Sequence, residues 1–114
     1  MAFEITITAD AESQMRALRV REQRVLEAAI LTRLPDRPTT PTRAIKKLRP
    51  NPFAEYELRV GDLRVLYSVE GNEVILLVVG RKVGNKLIVE GEEFHGHQDR
   101  PPESPGSASA RNAE

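Results

Sequence analysis

The chain has 114 residues, with 17 basic and 17 acidic side chains, two His, and neither Cys nor Trp. Its length suits one domain, and 39% hydrophobic with 30% charged residues is the balance of a folded chain rather than a disordered one. Lack of Cys excludes disulfides, thiolate metal sites and Cys nucleophiles; no apolar run nears the roughly 20 residues of a membrane helix, and no secretory pattern opens the chain, so a cytoplasmic protein with no membrane partner is expected.

Phe3, Ile5 and Ile7 alternate with Glu4, Thr6 and Thr8, which predicts a half-buried first strand. Thr8 or Asp10 then offers a helix N-cap, with Glu12 in the first turn. Met15, Leu18, Val25, Leu26, Ala29 and Ile30 fall at helical spacing as far as Leu34. The segment is either one long helix or a helical hairpin broken near residues 19–22, where no Gly or Pro marks a break. Pro35, Pro38 and Pro41 end the helix and open a loop. Residues 43–48 fit a short turn of helix, closed by Pro50 and Pro52.

From residue 54 onward the period becomes two. Tyr56, Leu58 and Val60 alternate with Glu57 and Arg59; after Gly61-Asp62, Leu63, Val65, Tyr67 and Val69 alternate with Arg64, Leu66 and Ser68. Gly first in a two-residue loop signals a type II′ hairpin. A second tight turn falls at Gly71-Asn72, and residues 74–79 are apolar throughout, as in a central strand covered on both faces. Lys86–Val89 makes a last short strand after Gly84-Asn85. The expected fold is therefore α+β, with an N-terminal strand, a helix or helical hairpin, and a three- to four-stranded antiparallel sheet. The expected domain spans residues 1–97. Residues 98–114 hold no large apolar side chain and are expected to form a disordered tail.

Charge is unevenly spread, with eight basic and four acidic residues between Arg33 and Arg64. Arg43, Lys46, Lys47, Arg49 and, further on, Lys82 are candidate RNA-backbone contacts. Hairpin register sharpens this into a site. Two-residue turns pair Arg59 with Arg64, then Arg64 with Val79, leaving Arg81 diagonal on the same face. Three arginines on one face suit phosphate oxygens; the alternative is a salt-bridged surface in which Glu57 neutralises part of the cluster. The same face is expected to carry Leu66, Ile75, Leu77 and Val79, a patch needing a cover: a partner protein, or the C-terminal segment through Phe94.

The run LRPNPFAEYELRVGDLRVLYSV at residues 48–69, followed by an apolar strand ending in Gly80-Arg81-Lys82, resembles the RelE/ParE superfamily of bacterial type II toxins. The resemblance covers all but the tail. It implies a RelE-like fold and a toxin neutralised by a cognate antitoxin. Many members cut messenger RNA at the ribosome with no metal or cofactor; others poison DNA gyrase. Cleavage is attack of a ribose 2′-OH on the adjacent phosphate, which needs a base, cations for the phosphorane and an acid. Arg59, Arg64 and Arg81 match the family's basic positions, with Arg64 and Arg81 as transition-state stabilisers and Lys82 one residue from Arg81.

The sequence also departs from that pattern. Glu55 and Glu57 stand where the best-known ribonuclease member has lysines, and Leu87 or Ile88 where it has a catalytic Tyr. Glu57 is the candidate base, and His95 and His97 are candidate acids. The expected function is a ribosome-dependent mRNA interferase toxin. The alternative is a member without nuclease activity, directed at DNA gyrase or retained only to bind its antitoxin.

Overall fold

A computed structural model describes residues 2–94. His95, His97 and the expected tail lie outside the described residues. The chain runs β1 (Glu4–Ile7), α1 (Ala9–Arg16), α2 (Val20–Arg33), β2 (Ile45–Lys47), β3 (Tyr56–Val60), β4 (Leu63–Glu70), β5 (Glu73–Val83), β6 (Lys86–Val89) and β7 (Glu92–Phe94). Its strands form one sheet in the order β2-β3-β4-β5-β6-β7, with β1 beside β5. All pairings are antiparallel except β1 with β5. The sheet is larger than the three or four antiparallel strands expected, because the short strands β2 and β7 extend its two edges.

The helical region is a hairpin. Thr8 Oγ1 accepts from Ala11 N at 3.2 Å and starts α1. Arg19 has an extended ψ of 150°, which breaks the helix without Gly or Pro. Side chains stabilise that break: Gln23 Nε2 donates to Leu18 O at 2.8 Å, and Glu22 Oε1 accepts from Arg19 N at 3.3 Å. These groups satisfy helix-end donors and acceptors that solvent would otherwise have to serve. Residues 45–47, expected within a turn of helix, instead form β2. Ile45 is buried opposite Leu58, while Lys46 and Lys47 stay exposed on the sheet edge.

Both helices cover one face of the sheet, called here the inner face. Its core holds Met15, Leu26, Ile30 and Leu34 against Leu58, Leu63, Val65, Tyr67, Val74, Leu76 and Val79. Tyr67 is wholly buried, and its hydroxyl donates to Pro38 O at 2.5 Å, fastening the proline-rich loop to the sheet. The outer face has a smaller core of Leu48, Ala54, Leu66, Val78 and Leu87, flanked by Leu77, Val89 and Phe94. Phe53 meets Phe94 edge-on, with ring centres 5.4 Å apart. The outer cover is thus the chain's own β6–β7 hairpin and the segment before β3.

The hairpins at Gly61 and Gly71 have the expected register, with Arg59 opposite Arg64 and Val69 opposite Val74. The register then shifts. Tyr67 faces Leu76 but Leu66 faces Val78, so Leu77 is an extra residue in β5. Thr8 N and Oγ1 both donate to Leu76 O, and Val79 N donates to Gln14 Oε1 at 2.8 Å. The first turns of the helical hairpin therefore fill the gap between β1 and β6 along the edge of β5. Beyond the bulge, Gly80 lies opposite Arg64. A Cβ there would meet Ile88 O at 2.6 Å and Val89 Cγ2 at 2.9 Å. Gly80→Ala should therefore destabilise the fold by about 1–3 kcal/mol, the usual range for overpacking. Thermal unfolding measures this, and an unchanged Tm would mean that β6 does not close so tightly on β5.

Candidate functional site

The bulge separates the three arginines. Arg59 and Arg64 project from the outer face. Arg81 lies opposite Leu63 and Ile88, and therefore projects toward the helices. Lys82, one residue on, lies opposite Leu87 and takes the outer position diagonal to Arg64. The expected register, which paired Arg64 with Val79, was one residue out because strict alternation leaves no place for Leu77. The outer face thus carries Arg59, Arg64 and Lys82 on three successive strands, with Lys46 beyond them on β2 opposite Glu57.

The two outer arginines are held differently. Arg59 Nε donates to Glu57 Oε1 at 3.0 Å, and Glu57 is only 3% exposed. That pair compensates a carboxylate that would be costly to bury alone. Arg64 folds back on its own hairpin, with one terminal nitrogen donating to Gly61 O at 2.8 Å and Leu63 O at 2.9 Å. Its Nε is inaccessible and has no partner among the described residues. Neutral carbonyls hold this guanidinium, so its charge is not cancelled, even though Arg59 stands directly across the strand pair. Such a like-charge pair is unfavourable in isolation, and a bound anion would relieve it.

Arg81 has carboxylate partners on two elements. One terminal nitrogen donates to Glu22 Oε1 on α2 at 2.7 Å, and the other reaches Asp62 Oδ2 in the β3–β4 turn at 3.5 Å. The hydrogen bond from Arg81 is the main force holding the Glu22 carboxyl below its ordinary value, and the same contact raises Arg81. Arg81 thus ties α2 to the sheet, and the expectation that it joins Arg59 and Arg64 on one face is overturned. Glu22 was not foreseen as its partner, since an acid in the first turn of a helix reads equally well as a cap.

The other candidates divide by position. Arg43 and Arg49 are exposed on either side of β2, and Lys47 is exposed at the register position facing inward. Leu66 and Val79, expected in an apolar patch covered by a partner or by the segment through Phe94, are both buried: Leu66 in the outer core, which Phe94 flanks, and Val79, moved across by the bulge, in the inner one. Ile75 and Leu77 stay half-buried. The expected patch is therefore mostly covered by the chain itself. A cleft of about 440 Å³ also opens on the helix side, between the end of α1 and the β5–β6 hairpin, with Gln14, Leu18, Arg81 and Glu90 on its walls.

The Glu22–Arg81 pair gives a pH test. A carboxylate with a depressed folded pKa contributes stability that is fully present above its ordinary value of 4.5 and fades as pH falls through the folded value. The Tm difference between wild type and Glu22→Gln should be largest near neutral pH and close in acid. A difference independent of pH would assign Glu22 a role other than the ion pair.

No family model matches the chain, and no curated protein matches it. Among solved structures it is similar to a chain of the toxin-antitoxin complex RelBE2 from Mycobacterium tuberculosis. The TM-score is 0.62 at 22% identity, over 71% of this chain and 99% of that one. That likeness shows the fold: a RelE-like α+β arrangement of a helical hairpin on one face of a largely antiparallel sheet.

Proposed function

We propose that this chain is the toxin of a toxin-antitoxin pair, and that its outer face grips the RNA backbone as a metal-free mRNA interferase acting at the ribosome. A cognate antitoxin would neutralise it. One observation carries the reading: Arg59 and Arg64 stand opposite each other on the face away from the helices, with Lys82 diagonal to Arg64. The RelE-like fold adds to it, since the neighbour belongs to a toxin-antitoxin complex.

In this reading the backbone phosphate lies over Arg64. When the ribose 2′-OH attacks, negative charge builds on the phosphorane oxygens, and Arg64 and Lys82 are the groups placed to stabilise it. Arg59 holds the adjoining phosphate, and Lys46 extends the track toward Arg49 and Arg43. Arg81 acts as a positioning residue. Its bond to Asp62 and the backbone bond from Lys82 N to Asp62 O at 2.7 Å fix the hairpin turn whose carbonyls hold Arg64. Glu57 is the carboxylate nearest this row, and it serves as base only by leaving Arg59.

Three features of the outer face favour a toxin that binds without cutting. Glu57 is engaged and buried, and Leu87, beside Lys82, has no proton to give. Among the described residues the outer face holds no Tyr or His. Induced expression followed by toeprinting separates the two readings. Codon-positioned cuts support the interferase; growth arrest without cuts supports a binding toxin, whose target a gyrase supercoiling assay then tests.

Arg64→Ala should abolish growth arrest while Tm changes little, because the substitution also removes like-charge crowding. Arg81→Ala should lower Tm, through loss of the Glu22 and Asp62 contacts, more than it lowers RNA binding. The reverse pattern would place the site on the helix side. Binding of single-stranded RNA should weaken with salt at a log–log slope of about −2 for three backbone contacts, and Arg64→Ala should flatten that slope by about 0.7. A slope near zero would exclude phosphate contacts on this face.

A further inference from the structure

The helix α2 turns Leu26 and Ile30 inward and leaves a different stripe exposed. Val20, Arg24, Glu27 and Leu31 follow one another at steps of four, three and four, so they lie along one line of the helix. All four are exposed, Val20 at 62% and Leu31 at 66%. Arg24 and Glu27, although one turn apart, form no ion pair with each other or with another described residue. Elsewhere on the two helices Arg16 pairs with Glu12, and Glu22 with Arg81.

The order apolar, positive, negative, apolar is its own complement when reversed. Against an antiparallel copy of the same helix, Val20 meets Leu31 and Arg24 meets Glu27, twice over by symmetry. This is the requirement for an isologous two-fold contact, in which one patch serves both partners.

We propose that α2 is a homodimerisation surface: a second copy of this chain docks antiparallel along Val20, Arg24, Glu27 and Leu31, about a two-fold axis passing between residues 25 and 26. The helix is about 21 Å long at 1.5 Å per residue, so the contact is small and of the weak, reversible class. Charge complementarity fixes the register, while Val20 and Leu31 supply the apolar ends. Because the helices and the Arg59–Arg64–Lys82 row occupy opposite faces of the sheet, the dimer keeps both cation rows open. The inference stands independently of the toxin reading.

Sedimentation equilibrium of the full chain across micromolar concentrations tests it. Wild type should dimerise reversibly. Arg24→Glu and Glu27→Arg should each weaken association by about tenfold or more, since each sets like charges together twice. An equimolar mixture of the two variants, and separately the Arg24→Glu/Glu27→Arg double variant, should restore it, because opposite charges again meet. Restoration also shows that the single variants were folded. A wild type monomeric throughout, single reversals without effect, or failure of both restorations would overturn the proposal; the last would leave the stripe to a different partner.

Discussion

The extra residue in β5 decides which charges act together. Two-residue periodicity is rigid: once a hairpin turn is set, every side chain has a face, and one inserted residue reverses all those beyond it. Leu77 is that residue. Before it, Leu76 packs under the helices; after it, Val79 does so, and Leu77 and Val78 both turn outward. The change reaches Arg81 and Lys82. Arg81 goes to the helix side, where Glu22 waits, and Lys82 goes to the side of Arg59 and Arg64.

The division gives the two faces different work. Inside, Arg81 links α2, the β3–β4 turn and β5 with charge-assisted bonds, and Gln14 and Thr8 complete the backbone bonding where the β5 edge is interrupted. Outside, Arg64 rests on neutral carbonyls, and the one buried carboxylate nearby, Glu57, is committed to Arg59. At this end of the face Arg59, Arg64 and Lys82 outnumber the one nearby carboxylate of the register, Glu57, and such a local excess favours a polyanion. The two roles are coupled, because the turn that positions Arg64 is the turn that Arg81 and Lys82 hold through Asp62.

Much of this was legible in the chain. Alternation around Gly61 and Gly71 gave both hairpins and the Arg59–Arg64 pairing, since glycine at positive φ and buried alternate residues leave little freedom in register. The inner-face residues were readable for the same reason, apart from Val78 and Val79, which the bulge exchanges. The bulge itself lay in the run 74–79, where every residue is apolar and no polar position marks the face. Gly80 was the available signal: a lone glycine inside a strand pattern often marks a bulge or a close backbone approach. The helix break was one of two readings of residues 19–22, and the short-range bonds of Glu22 and Gln23 decide for it; the strand at Ile45 depends on edge pairing with Leu58, distant in sequence, so local propensity could not reveal it.

The outer face as the anion-binding face is the central claim, and arginine side-chain NMR reads it directly. Nitrogen-15 spectra of the guanidinium Nε groups, recorded while a 2′-O-methylated RNA oligonucleotide is titrated in, distinguish the arginines individually. The Arg64 and Arg59 resonances should move, with Arg81 unchanged in its bond to Glu22. Movement of Arg81 with Arg64 and Arg59 unmoved would place the RNA against the helices and contradict the assignment.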